Sequence, residues 1–210
     1  MNLIKIAIEF FLHIDKYLAI LIAQFGGWSY VILWLVIFME TGLVVTPFLP
    51  GDSLLFAAGA LAAMGSFNIW FLCLLMVIAA IVGDAVNYSI GHFIGPKAFN
   101  SKSKLLKKEY LEKAQAFYDK HGGMAITLAR FVPIVRTFAP FVAGIGKMKY
   151  GYFAFYNVIG GVAWVNLFLW GGYFFGNVPL VKENFHYVVV AIVLISVVPI
   201  GVEMIKNKKR

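Results

Sequence analysis

The sequence predicts an all-α integral membrane protein, an inverted repeat with two opposing re-entrant helical hairpins plus transmembrane helices. Three observations predict it. Of 210 residues, 61% are hydrophobic and 13% charged, with a mean hydropathy of +0.84, too apolar for a soluble globule. Charge-free runs at 17–39, 53–83, 150–181 and 184–202 are each about as long as a bilayer crossing, roughly 20 residues. Two segments, TPFLPGDSLLFAAGA and ARFVPIVRTFAP, set helix breakers and full charges inside otherwise oily sequence.

The elements follow from charge and length. Segment 1–25 carries Lys5, Glu9, His13 and Lys16 at helical spacing, one polar stripe on an amphipathic helix that either spans or lies in the interface. Glu9 and Asp15 interrupt its apolar stretch, which argues against a cleavable signal peptide. The net charge of +8 reflects lysines gathered in 97–120 and in the tail KNKKR. Basic clusters beside membrane spans mark cytoplasmic, lipid-facing segments and not a nucleic-acid surface. With the C-terminus cytoplasmic, 185–205 and 152–175 are transmembrane helices, and 97–120 is a basic amphipathic segment on the inner face. Segment 121–146 then has both flanks inside, so it enters and leaves by one face. Its limb 122–132 makes about 16 Å of helix, half of a ~30 Å core. Pro133 and Pro140 are its expected breakers. Segment 69–95 crosses, and 28–64 is the matching hairpin, opening outward and broken at Pro47, Pro50 and Gly51. The chain reads as one membrane domain over 1–210, with no room for a separate soluble catalytic unit.

The two breaker-rich segments look like copies. They align as Phe48/Phe131, Pro50/Pro133, Asp52/Arg136, Ser53/Thr137, Phe56/Phe141 and Gly59/Gly144, then Tyr88/Tyr173 and Gly91/Gly176, at offsets of 83–85 residues. Opposite copies with broken helices meeting near the bilayer midplane are a transporter signature.

Charges inside the bilayer carry the functional signal. Glu40 and Asp52 lie in the first copy, Arg130 and Arg136 in the second. At about 2.5–3.5 kcal/mol each near the bilayer centre, four unpaired charges would cost on the order of 10–14 kcal/mol. That approaches the stability of a whole domain. Opposite signs on opposing hairpins therefore predict mutual pairing. One reading is a structural staple of ion pairs. The other is an anion site, because guanidinium forks match phosphate oxygens. Backbone N–H groups freed around Gly51 and Pro133, with Ser53 and Thr137 beside them, add donors. Ionised Glu40 and Asp52 oppose an anion, which makes them candidates for proton coupling, and intramembrane Asp84 joins them as a third. The glycines of VGDAVNYSIGHFIG and GGYFFG point to close helix packing. The four histidines show no metal spacing, no GxxxxGK loop is present and Cys73 stands alone, so no metal or other cofactor is expected.

At these residues the chain resembles the DedA family, bacterial membrane proteins that share the VTT domain with some eukaryotic lipid scramblases. The resemblance covers roughly 28–180. It rests on E-T-G at 40–42, P-x-x-P-G-D at 47–52, G-D-x-x-x-Y-x-x-G-x-x-x-G at 83–95, R-F-x-P-x-x-R at 130–136, A-G at 143–144 and G-Y-x-x-G at 172–176. A basic residue often follows the second glycine of the third motif, where this chain has His92. The resemblance implies two facing re-entrant hairpins, and an acidic pair and an arginine pair required for activity, here Glu40, Asp52, Arg130 and Arg136. It also implies proton-coupled return of undecaprenyl phosphate, a polyprenyl-phosphate carrier lipid, across the bacterial cytoplasmic membrane.

The expectation is thus a carrier-lipid flippase serving cell-envelope synthesis, not an enzyme. Its expected partners are that lipid, bulk membrane lipids and protons, and a homo-oligomer is compatible with the sequence. An intramembrane lipid pyrophosphate phosphatase would use Ser53 or Thr137 as nucleophile, but no histidine stands at either motif to activate a hydroxyl. A proton or cation antiporter would use Glu40, Asp52 and Asp84. An assembly factor would use the hairpins for packing alone.

Overall fold

The computed structural model describes residues 24–43, 51–94 and 122–178. Among them the regular structure is helical: α1 Trp28–Gly42, α2 Gly51–Ala63, α3 Ile69–Ile94, α4 Met124–Ala129, α5 Pro133–Ile145 and α6 Tyr150–Gly176. The segments expected at 97–120 and 185–205, nearly all of 1–25, and the breakers Pro47 and Pro50 lie outside the described residues. The chain divides into two compact units. One comprises Met1–Trp34, Pro50–Leu75 and Val165–Arg210, the other Leu35–Leu49 and Met76–Trp164. α2 belongs to the first unit and α4 and α5 to the second, while α1, α3 and α6 each run from one into the other.

α3 and α6, with 26 and 27 residues, are about 40 Å long and apolar enough to cross a bilayer. α3 buries Leu72, Met76, Ala79, Ala80, Gly83, Asp84, Asn87 and Tyr88, spaced by three and four along one face. Its opposite face exposes Trp70, Phe71, Leu74, Ile78 and Val82. α6 likewise exposes Phe155, Val158, Ile159, Val162 and Leu167. Faces this apolar and this long suit lipid, not water. α1, α2 and α5 have 15, 13 and 13 residues, about 20 Å each, less than a ~30 Å hydrocarbon core.

The helix break expected at Pro133 is present. α4 ends at Ala129, the chain turns through Arg130 and Phe131, and Val132 is extended (φ −115°, ψ 107°). That extended conformation is what a residue before proline adopts. Pro133 then opens α5, where a missing N–H removes no helical bond. Two expectations are corrected. Pro140 is no breaker: it lies inside a continuous α5, where it withholds a single N–H from the Arg136 carbonyl. The limb 122–132 is helical over only six residues, about 9 Å, because Gly122 takes a positive φ of 58° and the turn at 130–132 ends the helix early.

Each unit contains a crossing made at backbone contact. In the first, a Cβ on Gly59 of α2 would strike the Leu169 carbonyl of α6, and one on Gly172 would strike the Phe56 carbonyl. In the second, a Cβ on Gly144 of α5 would strike the Tyr88 carbonyl of α3, and one on Gly91 the Phe141 carbonyl. The Phe56/Phe141 and Gly59/Gly144 equivalences of the repeat therefore have a geometric meaning. The downstream alignment is corrected by one helical turn: Gly91 corresponds to Gly172, and Tyr88 to Leu169, an offset of 81 residues. α2 and α5 also end alike. Ser66 N–H bonds the Leu61 carbonyl and Gly65 N–H that of Ala62, while Met148 N–H bonds Ala143 and Lys147 N–H bonds Gly144. Both are Schellman ends, with Gly65 (φ 88°) and Lys147 (φ 52°) in the positive-φ place.

Candidate functional site

The site lies in the second unit, and glycines make room for it. A Cβ on Gly83 of α3 would collide with the Thr41 hydroxyl, and one on Gly42 would come within 3.3 Å of the Gly83 backbone. Without those carbons, the last turn of α1, with Glu40 and Thr41, settles on the turn of α3 that carries Asp84. On α6, a Cβ at Gly160 would lie 3.0 Å from Cδ of Arg130 and 3.2 Å from its Nε. Gly160 and Gly161 therefore form the slot in which the Arg130 side chain lies. Asn87 ties the arrangement together, its Nδ2 donating to the carbonyls of Thr41 on α1 (3.1 Å) and Thr137 on α5 (2.9 Å).

Two ion pairs occupy this frame. Arg130 Nη2 lies 2.6 Å from Asp84 Oδ2, with both side chains 5% exposed. The same nitrogen donates to Asn157 Oδ1 at 2.6 Å and to the Ala80 carbonyl at 3.3 Å. Arg130 Nε is buried and has no hydrogen-bond partner. Arg136 pairs with Glu40, and its guanidinium carbon stands 5.7 Å from the Trp164 ring centre. The Arg136 side chain is 15% exposed while Glu40 is buried. Glu40, Thr41, Asp84, Arg130, Arg136, Thr137 and Trp164 line one small cavity of about 10 Å³, room for about one water.

Of the expected site residues, the cavity thus gathers Glu40, Asp84, Arg130, Arg136 and Thr137. Gly51, Asp52 and Ser53 stand in the first turn of α2, in the other unit; Gly51 and Ser53 are buried, and the Ser53 hydroxyl has no hydrogen-bond partner. The expected pairing is corrected in one respect. The carboxylate on Arg130 is Asp84, because α3 presents Ala80 and Asp84 one turn apart on the face toward Arg130. Asn87, Asn157, Trp164 and the Gly160–Gly161 slot were not singled out from the sequence. An asparagine three residues before a glycine pair in an apolar helix is the signal that could have raised Asn157. Among the described residues no group of three or more His, Cys, Asp or Glu could hold a metal ion.

The fold and site define a class: a helical membrane protein whose broken helix carries arginines into buried pairs with carboxylates of neighbouring helices. Residues 49–174 match the VTT domain. The chain is 57% identical to Protein DedA of Escherichia coli (strain K12) over 212 residues, covering 100% of this chain and 97% of that protein. It is 41% identical over 165 residues to a membrane protein of Mycobacterium leprae (strain TN), ML0287, covering 78% of this chain and 74% of that one. It is 32% identical over 173 residues to the inner membrane protein YqjA of Escherichia coli (strain K12), covering 82% and 79%. The chain belongs to the DedA family of VTT-domain membrane proteins. No solved structure matches it.

Proposed function

We propose that this protein carries the phosphate head of a polyprenyl-phosphate lipid, of the undecaprenyl phosphate class, across the bacterial cytoplasmic membrane, with protons as the coupling ion. The observation that supports this reading most is the pair of arginines on one cavity, each held by a buried carboxylate. Arg130 Nε–H has no acceptor, and Arg136 and Thr137 line the same cavity as Arg130, so a phosphate oxygen would find charged and neutral donors together. A cavity of about 10 Å³ is far too small for a phosphate. Binding therefore requires the Arg136–Glu40 pair to part, and protonation of Glu40 is the simplest way to release the guanidinium to an anion. In this reading 28–64 and 121–146 are re-entrant hairpins, and lipid-facing apolar surface leaves the isoprenoid tail in the bilayer while its head moves.

The test is reconstitution with labelled undecaprenyl phosphate, following leaflet exposure and inorganic phosphate release together. Movement of the lipid without phosphate release is the expected result. Phosphate released from the corresponding pyrophosphate would identify a phosphatase instead. Proton flux with no lipid movement would identify an antiporter.

A further inference from the structure

We propose that Asn157 is the positioning residue of this site: it shares Nη2 of Arg130 with Asp84 and thereby sets where the guanidinium points. Both stand at 2.6 Å from that one nitrogen, the Asp84 carboxylate of α3 as its ion partner and the Asn157 amide oxygen of α6 as a hydrogen-bond acceptor. The Asn157 amide is fixed at its other end, because Nδ2 donates to the Ile81 carbonyl at 3.0 Å. With its NH2 so committed, the amide presents its oxygen to Arg130. A buried asparagine (1% exposed) thus links α6 to α3 and grips the guanidinium between them, one helical turn before the Gly160–Gly161 slot that receives the side chain.

The consequence concerns the donor left over. With Nη2 held from two helices and by the Ala80 carbonyl, the guanidinium plane cannot turn. Its Nε–H is then the buried donor without a protein acceptor, on a side chain that lines the cavity. Asp84 neutralises the charge, whereas Asn157 supplies no charge and only a fixed acceptor. Asn157 therefore acts on an incoming anion through Arg130 without touching it.

The carboxylate and the amide should then be partly exchangeable at Nη2, which gives the test. Wild type, Asp84→Asn, Asn157→Asp and Asp84→Asn/Asn157→Asp are compared by two readouts. The thermal unfolding midpoint in detergent needs no substrate; the initial rate of undecaprenyl phosphate movement in proteoliposomes rests on the function proposed above. Asp84→Asn leaves Arg130 among neutral groups and is expected to lower the midpoint and to slow movement by about tenfold or more. The double variant returns a carboxylate to the same nitrogen from the opposite side, at unchanged net charge but without the Nδ2–Ile81 bond, and is expected to recover part of both. A double variant no better than Asp84→Asn in either readout overturns the proposal. So does one restored in midpoint but not in rate beside an active wild type, which reduces Asn157 to a packing residue. If the wild type moves no lipid, the transport reading fails by itself. The midpoint alone then decides: recovery upholds the grip of Asn157 on Arg130, and no recovery overturns it.

Discussion

A guanidinium laid toward an indole and one held by two acceptors and a carboxylate answer differently to substitution. Arg136, paired with Glu40 and facing Trp164, offers a planar fork that lysine lacks. One hydrogen bond to a charged group is worth about 1.5–3 kcal/mol, so Arg136→Lys is expected to slow phosphate-lipid movement about ten- to a hundredfold. The protein should still fold; a lysine variant with wild-type rates would mean that only positive charge matters. Arg130 is bound more tightly into the structure. Arg130→Met strands the buried Asp84 carboxylate, at a cost of about 3–5 kcal/mol, and should sharply lower the unfolding midpoint. Adding Asp84→Leu removes the stranded charge and should restore the midpoint without restoring transport; failure to restore it would show that the pair is not the source of the loss. That the arginines and Glu40 belong together was legible in the sequence, since full charges in an oily chain must find partners. The identity of the Arg130 partner was not, because it depends on which face of α3 turns toward the slot at Gly160 and Gly161. Asn157 was less legible still: only the glycine pair three residues on sets it apart from Asn166 in the same apolar helix.

At the scale of elements, proline and glycine were readable to different depths. Pro133 follows a residue forced toward extended backbone, so the break it marks is local chemistry and appears where expected. Pro140 has the same composition signal, yet α5 continues through it, because one missing N–H is a smaller loss than the crossing that surrounding residues make. The glycine pattern located the crossings but not their register. With 20 glycines and 20 phenylalanines in the chain, Tyr88/Tyr173 aligned as well as the true equivalence one turn away. The crossings themselves make a quantitative expectation. Gly144→Ala would press a methyl into the Tyr88 carbonyl and the His92 N–H, and overpacking of this kind costs about 1–3 kcal/mol. Gly59→Ala should do the same against Leu169. Gly151→Ala, in the first turn of α6 where nothing lies within 4 Å, should leave the midpoint unchanged or slightly raised. Equal losses at Gly144 and Gly151 would show that helix flexibility, not contact, is what these glycines supply.

At the scale of the whole molecule, the charge bias along the chain makes two expectations. Ser66, after α2, and Lys149, before α6, are exposed turn residues that the basic-segment rule assigns to opposite sides of the membrane. Single cysteines at these positions, in a Cys73→Ala background, should react with impermeant reagents from opposite faces; reaction of both from one face would reject the opposed hairpins. The second expectation follows from charge balance at the site. Glu40 and Asp84 offset Arg136 and Arg130, so the four together are neutral when all are ionised. A phosphate monoester adds about 1.5 to 2 negative charges near neutral pH. In a site with little water that surplus is strongly unfavourable unless a proton enters with it. Under the proposed function Glu40 would be the carboxylate to receive it, because its arginine is the more exposed of the two and Arg130, the partner of Asp84, is also held by Asn157 and the Ala80 carbonyl. Protonation would, under the proposed function, free Arg136 for the phosphate, and release of the phosphate would let Glu40 ionise, re-pair and discharge its proton on the far side. Acid on the side of lipid entry should therefore speed movement, and an opposed gradient should slow it. Glu40→Gln, which mimics the protonated state permanently, should still bind the lipid yet move it at a rate indifferent to the gradient. The measurement is lipid movement in proteoliposomes with the pH difference imposed in each direction, for wild type and Glu40→Gln. A wild type insensitive to the gradient at every pH would leave passive exchange of the lipid as the mechanism, and a Glu40→Gln protein still driven by it would place the proton on another group.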